Sequence, residues 1–391
     1  MKQTKSITVG VDATNLRSGG GVTHLVELLR SAQPKLHGIE RVIVWGGLAT
    51  LSLLEDRPWL CKVSPAELNK NLLRRTFWQV LSLSSAARAC GCDVLFVPGG
   101  SYAGSFQPVV TMSRNLLPFE THELLRYKWT MFTLKLMLLR LTQTRSYRQT
   151  DGLIFLTSYA RKVVLQVAGK VRAQTCIIAH GLNTRFRIAP KAQRNINEFD
   201  EKCPYRVLYV SKIDQYKHQW HVVEAVSTLR KQGLPIVLDL VGPAYPPALL
   251  RLNQILTKLD PERRWAHYHG AIAFEDLHLR YTDADLGLFA SSCENMPNIL
   301  LEAMASGLPI ACSNRGPMPE VLGDAGLYFD PEQSCDIARA LYELICSPQL
   351  RADLAQASFE RSQQYSWDLC ASDTFEFIGH VARRKTLNIY E

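Results

Sequence analysis

The amino-acid sequence predicts an α/β protein with two doubly wound parallel sheets in series. Short apolar runs bounded by turn residues alternate with longer helical stretches, which is the pattern of parallel strands buried on both faces. A length of 391 residues suits two domains better than one. The polar segment 190–204 interrupts the alternation without a sustained apolar period, and we interpret it as the interdomain linker.

The candidate strands fall into two groups, one on each side of this linker. The first group comprises residues 7–12, 42–45, 94–97, 109–112, 153–156 and 176–178. The second group comprises residues 206–210, 236–241, 286–289, 309–312 and 327–329. Helical stretches separate most of these strands, so we expect crossover connections, with ligands at the carboxyl ends of the strands.

Composition excludes several classes of protein. With 47% apolar and 21% charged residues, the chain has the balance of a soluble globular protein. The first twelve residues show no apolar core followed by a cleavage site, so we expect no export. Residues 129–141 are interrupted by Lys135 and Arg140, which excludes a membrane-spanning helix there. Ten scattered cysteines, with Cys90 and Cys92 lacking partners at metal spacing, predict free thiols in a reducing cytosol.

The formal net charge of +9 indicates an anionic partner, for which a sugar nucleotide, a phosphorylated lipid, a membrane and a nucleic acid are candidates. Solvated basic faces are the plain alternative. Segment 127–147 is both basic and apolar, but its apolar residues do not follow one stripe. A buried helix and a membrane-surface helix therefore both remain open. With Arg74 and Arg75, this segment motivates the expectation of peripheral association with an anionic inner membrane.

The segment 291–309 is the most informative part of the sequence. It follows a buried strand, passes through a polar loop and enters a helix, with Pro297 suited to the first helical turn. Free N–H groups at a helix start attract phosphate. Glu294 in the loop and Glu302 in the helix are then placed to accept hydrogen bonds from sugar and ribose hydroxyls. The alternative is that both are ordinary acidic residues of a loop and a helix surface.

Glu294 to Glu302 resembles the E-x7-E signature of retaining family-4 glycosyltransferases of the GT-B fold. Segments 302–309, 319–321, 326–331 and 365–367 match that family's continuation, and the resemblance covers nearly all of 205–370.

This resemblance implies two Rossmann-like domains facing a central cleft. Residues 1–190 would form the acceptor-binding domain and residues 204–369 the nucleotide-sugar-binding domain, and a helix at 370–391 would pack back onto the first domain.

The resemblance also implies roles for residues of the second domain. Lys212 and Lys217 occupy the positions where the family carries an arginine and a lysine five residues apart, and with Glu294 they form the expected catalytic set. The lysines would offset charge on the donor diphosphate, Glu294 would orient the sugar, and Glu302 would hold the ribose. The remaining expected donor-binding residues of this domain are Asn295, Met296, Pro297 and Asn298.

The first domain departs from the family pattern. Gly20 and Gly21 match a glycine pair that approaches donor phosphates or acceptor, although a plain turn remains the alternative. Many relatives carry a His-Asp pair after the strand 109–112, where this sequence has Arg114 and Asn115. These two residues are the expected acceptor-binding residues, but neither is a natural general base. In the front-face displacement that the resemblance implies, the departing phosphate oxygen can take the acceptor's proton.

The resulting hypothesis is a retaining hexosyltransferase of polysaccharide or lipopolysaccharide biosynthesis. It would move a hexose-type sugar from a nucleotide-diphosphate donor to a saccharide or lipid-linked glycan. Alternatives are a phosphorylase, epimerase or hydrolase on paired domains, and a catalytically inactive nucleotide-sugar-binding partner in a glycan-assembly complex.

We expect no metal or other cofactor, because Asp283 and Asp285 lead directly into a buried strand and the lysines supply positive charge. We also expect no nucleic-acid partner and a cytoplasmic location, with association at the inner face of the plasma membrane.

Overall fold

A computed structural model describes residues 6–387, and these residues form two compact units. The first unit takes the chain up to Phe119, Trp129–Gly181 and the chain from Tyr365 onward. The second unit takes Glu120–Lys128 and Leu182–Gln364. Residues 120–128 and 182–190, which the sequence analysis placed in the first domain, thus belong to the second unit. Residues 388–391 of the predicted terminal helix lie outside the described residues.

The first unit contains a seven-stranded parallel sheet in the order β3-β2-β1-β4-β5-β6-β7. Most of its strand residues are buried, which explains why the strands are mainly apolar. The strands are β1 (Ile7–Ala13), β2 (Ile39–Gly46), β3 (Leu60–Val63), β4 (Val94–Val97), β5 (Val109–Met112), β6 (Gly152–Phe155) and β7 (Gln174–Ile177).

The second unit contains a six-stranded parallel sheet in the order β10-β9-β8-β11-β12-β13. Strand order changes direction between β8 and β11, the kind of position where doubly wound sheets bind ligands. The strands are β8 (Tyr205–Val210), β9 (Ile236–Val241), β10 (Ala266–Tyr268), β11 (Leu286–Phe289), β12 (Ile310–Ser313) and β13 (Leu327–Phe329).

Fifteen helices accompany the strands of the described chain. In the first half they are α1 (Gly20–Ser31), α2 (Leu48–Leu51), α3 (Leu72–Leu81), α4 (Leu83–Ala89), α5 (Thr121–Leu125), α6 (Met131–Gln149) and α7 (Ser158–Ala168). In the second half they are α8 (Gln219–Lys231), α9 (Pro246–Leu259), α10 (Leu277–Asp283), α11 (Asn298–Ala305), α12 (Met318–Leu322), α13 (Ser334–Cys346), α14 (Pro348–Ser362) and α15 (Trp367–Leu387).

The terminal helix α15 packs within the first unit against α1 and β6. Gly152 at the start of β6 allows this contact, since a Cβ atom there would lie 3.0 Å from side-chain atoms of Phe377 and Val381. The two ends of the described chain therefore share one core.

The helix α6 only partly matches the predicted helix over 127–147. It begins at Met131, because Lys128 has a φ of +54° and the Thr130 side chain caps the helix by accepting from the Thr133 amide. One face of α6 is buried through Thr133, Leu136 and Tyr147 among others. The opposite side exposes a row of apolar residues at helical spacing, namely Met131, Leu134, Leu138 and Leu141. The helix is thus half buried, and its exposed apolar row does follow one stripe.

Gly307 is required by the fold of the second unit, and its replacement gives a test of that fold. Its φ is +64°, and a Cβ atom would lie 2.6 Å from the nitrogen of Pro190. Gly270 has a similar φ of +70° but no atom within 4 Å of such a Cβ. We expect Gly307→Ala to lower the free energy of unfolding by at least about 2 kcal/mol in urea denaturation, and Gly270→Ala by about 1 kcal/mol. Equal losses would show that the 188–190 backbone does not hold this position.

Candidate active site

Two adjacent parallel strands of the second unit bring three of the predicted residues to one edge of the sheet. β8 leads into the loop with Lys212 and Lys217, and β11 leads into the loop with Glu294. β8 and β11 pair in parallel, so their carboxyl ends lie side by side. The two loops are joined by a hydrogen bond of 2.9 Å from the Ser292 amide to the Tyr216 carbonyl.

Lys217 and Glu294 form an ion pair through Nζ and Oε1. The Lys217 side chain is only 6% exposed and the Glu294 side chain 17%, so the pair is largely removed from water. The ammonium group also lies 5.1 Å from the ring centre of Tyr216 and 5.2 Å from that of Phe289. Aromatic faces attract cations, and they help to hold this lysine in a buried position.

Lys212 is held by a residue that the sequence analysis did not single out. Its Nζ lies 2.7 Å from Oδ2 of Asp214, and the hydroxyl of Tyr127 donates to Oδ1 of the same carboxylate at 2.6 Å. Asp214 is 2% exposed, whereas the Lys212 side chain is 45% exposed. One carboxylate oxygen of Asp214 thus holds the Lys212 ammonium group, which remains accessible to a ligand. The only sequence signal was the position of Asp214 between the two lysines.

His218 and Ser292 form a second connection between the same two loops. Nε2 of His218 and Oγ of Ser292 lie 2.9 Å apart, and Ser292 Oγ donates to Oε2 of Glu123 at 2.8 Å. Burial, with the nearby Arg126 as a smaller cause, lowers the pKa of His218 to about 3. The imidazole is therefore neutral at physiological pH and serves as a hydrogen-bonding group of the loop.

Glu302 lies on α11 and is separated from solvent, being 9% exposed. The hydroxyl of Tyr281 donates to its Oε2 at 3.3 Å. Burial raises its pKa to about 8, and the hydrogen bond from Tyr281 and the charge of Arg185 oppose this rise. Within residues 6–387, Glu302 forms no ion pair with the two lysines.

The other predicted donor-binding residues form the entrance to α11. The helix begins at Asn298, one residue later than the predicted first turn at Pro297. Asn295, Met296 and Pro297 are buried, whereas Asn298 is exposed. Of these four residues, Asn298 is thus the one whose side chain a ligand reaches without rearrangement of the loop.

Among the predicted residues of the first unit, Arg114 contacts the glycine pair Gly20–Gly21, whereas Asn115 is bonded within its own loop. Gly20 and Gly21 begin α1, after Gly19 with a φ of +67°. An Nη2 group of Arg114 donates to the carbonyl of Gly20 at 2.6 Å. Burial lowers the pKa of Arg114 to about 10, so the guanidinium stays charged at neutral pH. Asn115 is exposed, and its Oδ1 accepts from the Leu117 amide at 3.2 Å.

A cluster of aromatic rings around the buried His24 lies one turn beyond this glycine turn, and the sequence did not predict it. The ring centre of His24 lies 4.7 Å from that of His180 and 5.8 Å from that of Trp367. Burial, followed by the charges of His180 and Arg114, holds the pKa of His24 well below its usual range. These residues are distant in sequence, so no local pattern connects them.

One group of the described residues has the composition of a metal site, namely His122, Glu123 and Glu332. Arg126 already occupies it, with hydrogen bonds of 2.7 Å to Glu123 and 2.5 Å to Glu332. The guanidinium lowers the pKa of Glu332, as expected for a carboxylate paired with a cation. A metal ion would have to displace this arginine, so the donor set does not suit one.

Parts of the chain resemble known proteins in sequence. Residues 191–361 match the family model described as "Glycosyl transferases group 1". The chain is 33% identical over 110 residues to O-antigen chain mannosyltransferase B of Escherichia coli, which is 28% of this chain and 29% of that protein. The match thus spans less than a third of that relative, and the next two curated relatives are matched over 21% and 41% of their lengths.

Solved structures resemble the chain over nearly its whole length. Sucrose-phosphate synthase from Thermosynechococcus elongatus superposes with a TM-score of 0.76 at 16% identity, covering 98% of this chain and 100% of that one. Anabaena HepE in complex with UDP gives a TM-score of 0.67 at 17% identity, covering 94% and 98%. The chain has the GT-B fold. The predicted fold class is therefore confirmed. Of the predicted family-4 retaining glycosyltransferase, the comparisons support the broader assignment to a group 1 glycosyltransferase.

The buried carboxyl of Glu302 predicts a specific pH dependence of stability. Its pKa rises from 4.5 to about 8 on folding, so the folded state holds an extra proton between these values. Stability is therefore fully present below pH 4.5 and falls as pH rises towards 8, by up to about 1.4 kcal/mol per pH unit. We expect Glu302→Gln to remove this slope in urea unfolding between pH 5 and 8.5. The exposed Glu275→Gln control should retain it, and identical slopes in all three proteins would contradict the burial of an acid at this position.

Proposed function

We propose that this protein is a retaining glycosyltransferase that moves a hexose-type sugar from a nucleotide-diphosphate donor to a saccharide or lipid-linked glycan. The observation that carries the proposal is the grouping of Lys212, Lys217 and Glu294 at the carboxyl ends of β8 and β11. This grouping lies within the region that matches the group 1 glycosyltransferase model. Polysaccharide or lipopolysaccharide assembly is the proposed setting, because a matched relative is an O-antigen mannosyltransferase.

The two lysines are suited to offset the charge of a leaving diphosphate. Electrostatic attraction is stronger away from water, so the ammonium of Lys217 acts more strongly there than a surface lysine would. Lys212 supplies a second, accessible charge and is held by Asp214. Lysine lacks the bidentate fork of arginine, so the contact at Lys212 would be a point charge on one phosphate. We propose that the lysines take the role that a metal ion plays elsewhere, and that no other cofactor is needed.

Glu294 and Glu302 are proposed to recognise the two sugar rings of the donor. Oε1 of Glu294 is engaged by Lys217, which leaves Oε2 to accept a hydrogen bond from a hydroxyl of the transferred sugar. Glu302 would accept hydrogen bonds from the ribose diol, and Asn298 lies at the start of the same helix. Accepting two hydrogen bonds favours the ionised carboxylate, so donor binding would lower the pKa of Glu302.

In the first unit, Gly20, Gly21, Arg114 and Asn115 are proposed to contact donor phosphate and acceptor. None of these side chains is a general base, so the proposed proton acceptor is the departing phosphate oxygen. The charged Arg114 would favour an acidic or phosphorylated acceptor. An inactive nucleotide-sugar-binding partner is not favoured by the comparisons, because the matched proteins include active transferases by name.

Removal of the Lys217 ammonium tests the proposed active site. We expect Lys217→Ala to lower the turnover number of sugar transfer by roughly 10²–10³-fold, the usual cost of losing one group that stabilises transition-state charge. Lys231→Ala removes an exposed lysine at the end of α8 and should leave turnover unchanged. Donors are first chosen by thermal shift with UDP, GDP and ADP. Full transfer activity in the Lys217→Ala protein would refute the diphosphate role.

We further propose that the first unit associates peripherally with an anionic membrane at its cytoplasmic face. On α6, Leu134 is 58% exposed, Leu138 61% and Leu141 68%. On α3, the exposed Leu73 and Phe77 flank the basic pair Arg74–Arg75. Exposed apolar residues beside cations suit the interface of an anionic bilayer. Within residues 6–387, no helix combines the length and the apolar character needed to cross a bilayer.

Vesicle co-sedimentation tests this association. Wild-type protein should sediment with vesicles of phosphatidylcholine and 30% phosphatidylglycerol at low salt, and the bound fraction should fall as salt rises. Leu134→Ser with Leu138→Ser should reduce binding severalfold, because it removes apolar area that would enter the bilayer. Leu250→Ser, which alters an equally exposed leucine of the second unit, should not. Absence of wild-type binding to the acidic vesicles would remove the proposal.

A further inference from the structure

A cavity in the first unit is separate from every residue proposed for donor or acceptor binding. Its volume is about 930 Å³. Loop 102–107, the end of α6, the residues before β7 and the helix α15 line it. Small-molecule sites have volumes of roughly 300–1,000 Å³, so this cavity is large enough for a ligand of nucleotide size.

The cavity lies at the amino ends of β5, β6 and β7. Gln107 and Asp151 line it and precede β5 and β6 in sequence, and Gln174 is the first residue of β7. Arg114 follows the carboxyl end of β5, which is the opposite edge of the sheet. A four-residue strand separates these edges by roughly 13 Å. The cavity is therefore a second site and not an extension of the glycine turn at Gly20.

The lining carries a strong excess of positive charge. Four arginines contribute to it, namely Arg145, Arg148, Arg172 and Arg384, against one acid, Asp151. Within residues 6–387, none of these four arginines forms an ion pair. Oδ2 of Asp151 accepts a hydrogen bond of 2.8 Å from the Val109 amide, so this carboxylate is already engaged by the backbone. The lining therefore carries four positive charges against the single negative charge of Asp151.

Hydrogen bonds hold the walls of the cavity in place. Oγ of Ser146 accepts from the Tyr102 amide at 2.7 Å and donates to the Tyr102 carbonyl at 3.0 Å. The Tyr102 hydroxyl accepts from the Phe106 amide at 2.8 Å. Nε of Arg148 donates to the Ala168 carbonyl at 2.7 Å, which orients its guanidinium. A cavity whose walls are fixed before binding loses less entropy when it takes a ligand.

From this arrangement we propose that the cavity binds an anion with two or more adjacent phosphate groups. Guanidinium groups pair with phosphate through two parallel hydrogen bonds, and several arginines around one concave surface suit adjacent phosphates better than a single charge. The diphosphate can belong to a soluble molecule or to a lipid headgroup, and both present the same chemistry to the four arginines. This proposal does not rest on the transfer reaction.

Isothermal titration of the full chain with inorganic pyrophosphate at constant ionic strength tests the proposal. Arg145→Ala with Arg172→Ala removes two exposed arginines that form no side-chain hydrogen bond in the described structure, so folding should be preserved. We expect this variant to lose at least tenfold in affinity. Arg41→Ala with Lys162→Ala removes the same charge elsewhere on the unit and should change affinity less than threefold. Lys217→Ala identifies any pyrophosphate bound in the second unit, because it would not alter binding at the arginines.

Vesicles distinguish the two sources of the diphosphate. Phosphatidylcholine vesicles with a polyprenyl diphosphate are compared with vesicles of equal charge made with phosphatidylserine. Loss of binding only to the diphosphate vesicles in the Arg145→Ala, Arg172→Ala protein supports a lipid headgroup. Loss of pyrophosphate affinity with unchanged vesicle binding supports a soluble diphosphate. Pyrophosphate affinity that is equal in the arginine variant, the charge-matched control and the wild type overturns the proposal.

Discussion

The buried ion pair of Lys217 and Glu294 is the interaction on which the candidate active site depends. Two charges taken out of water destabilise a fold unless they lie against each other and find further polar partners. The pair forms because β8 and β11 are parallel neighbours, so their following loops emerge at one edge. The hydroxyl of Tyr209, on β8, donates to the Lys217 carbonyl at 2.8 Å and fixes the lysine loop. The sheet thus brings the two charges into direct contact, and this contact offsets the free-energy cost of burying them.

The segment 120–128 completes this loop region although it comes from the earlier part of the chain. Tyr127 binds Asp214, Glu123 binds Ser292, and Arg126 binds Glu332, all within the second unit. These partners are 87, 169 and 206 residues away in sequence. The anchoring of Lys212 therefore depends on residues that lie between two strands of the first unit's sheet. A substitution of Tyr127 would therefore act on Lys212 through Asp214.

Much of the fold could be predicted because its signals are local. The strands are short apolar runs, and β8, β9 and β11 have the bounds or nearly the bounds that the pattern indicated. The E-x7-E motif spans one loop and the helix that follows it directly, so it can be recognised from the local sequence. By contrast, the exposed apolar row of α6 was missed, because apolar residues lie on both the buried and the exposed side of this helix.

The sequence by itself determined the α/β class and identified Lys212, Lys217, Glu294 and Glu302 as candidate donor-binding residues. Both inferences rest on patterns among neighbours along the chain, namely apolar strand runs and a loop–helix motif. The tertiary structure alone decided which carboxylate meets which cation. It paired Glu294 with Lys217 and Asp214 with Lys212, and it buried Glu302. It also collected four arginines from three separate parts of the chain around one cavity. Such pairings depend on the order of strands in the sheet and on distances through space, for which residue spacing carries no signal.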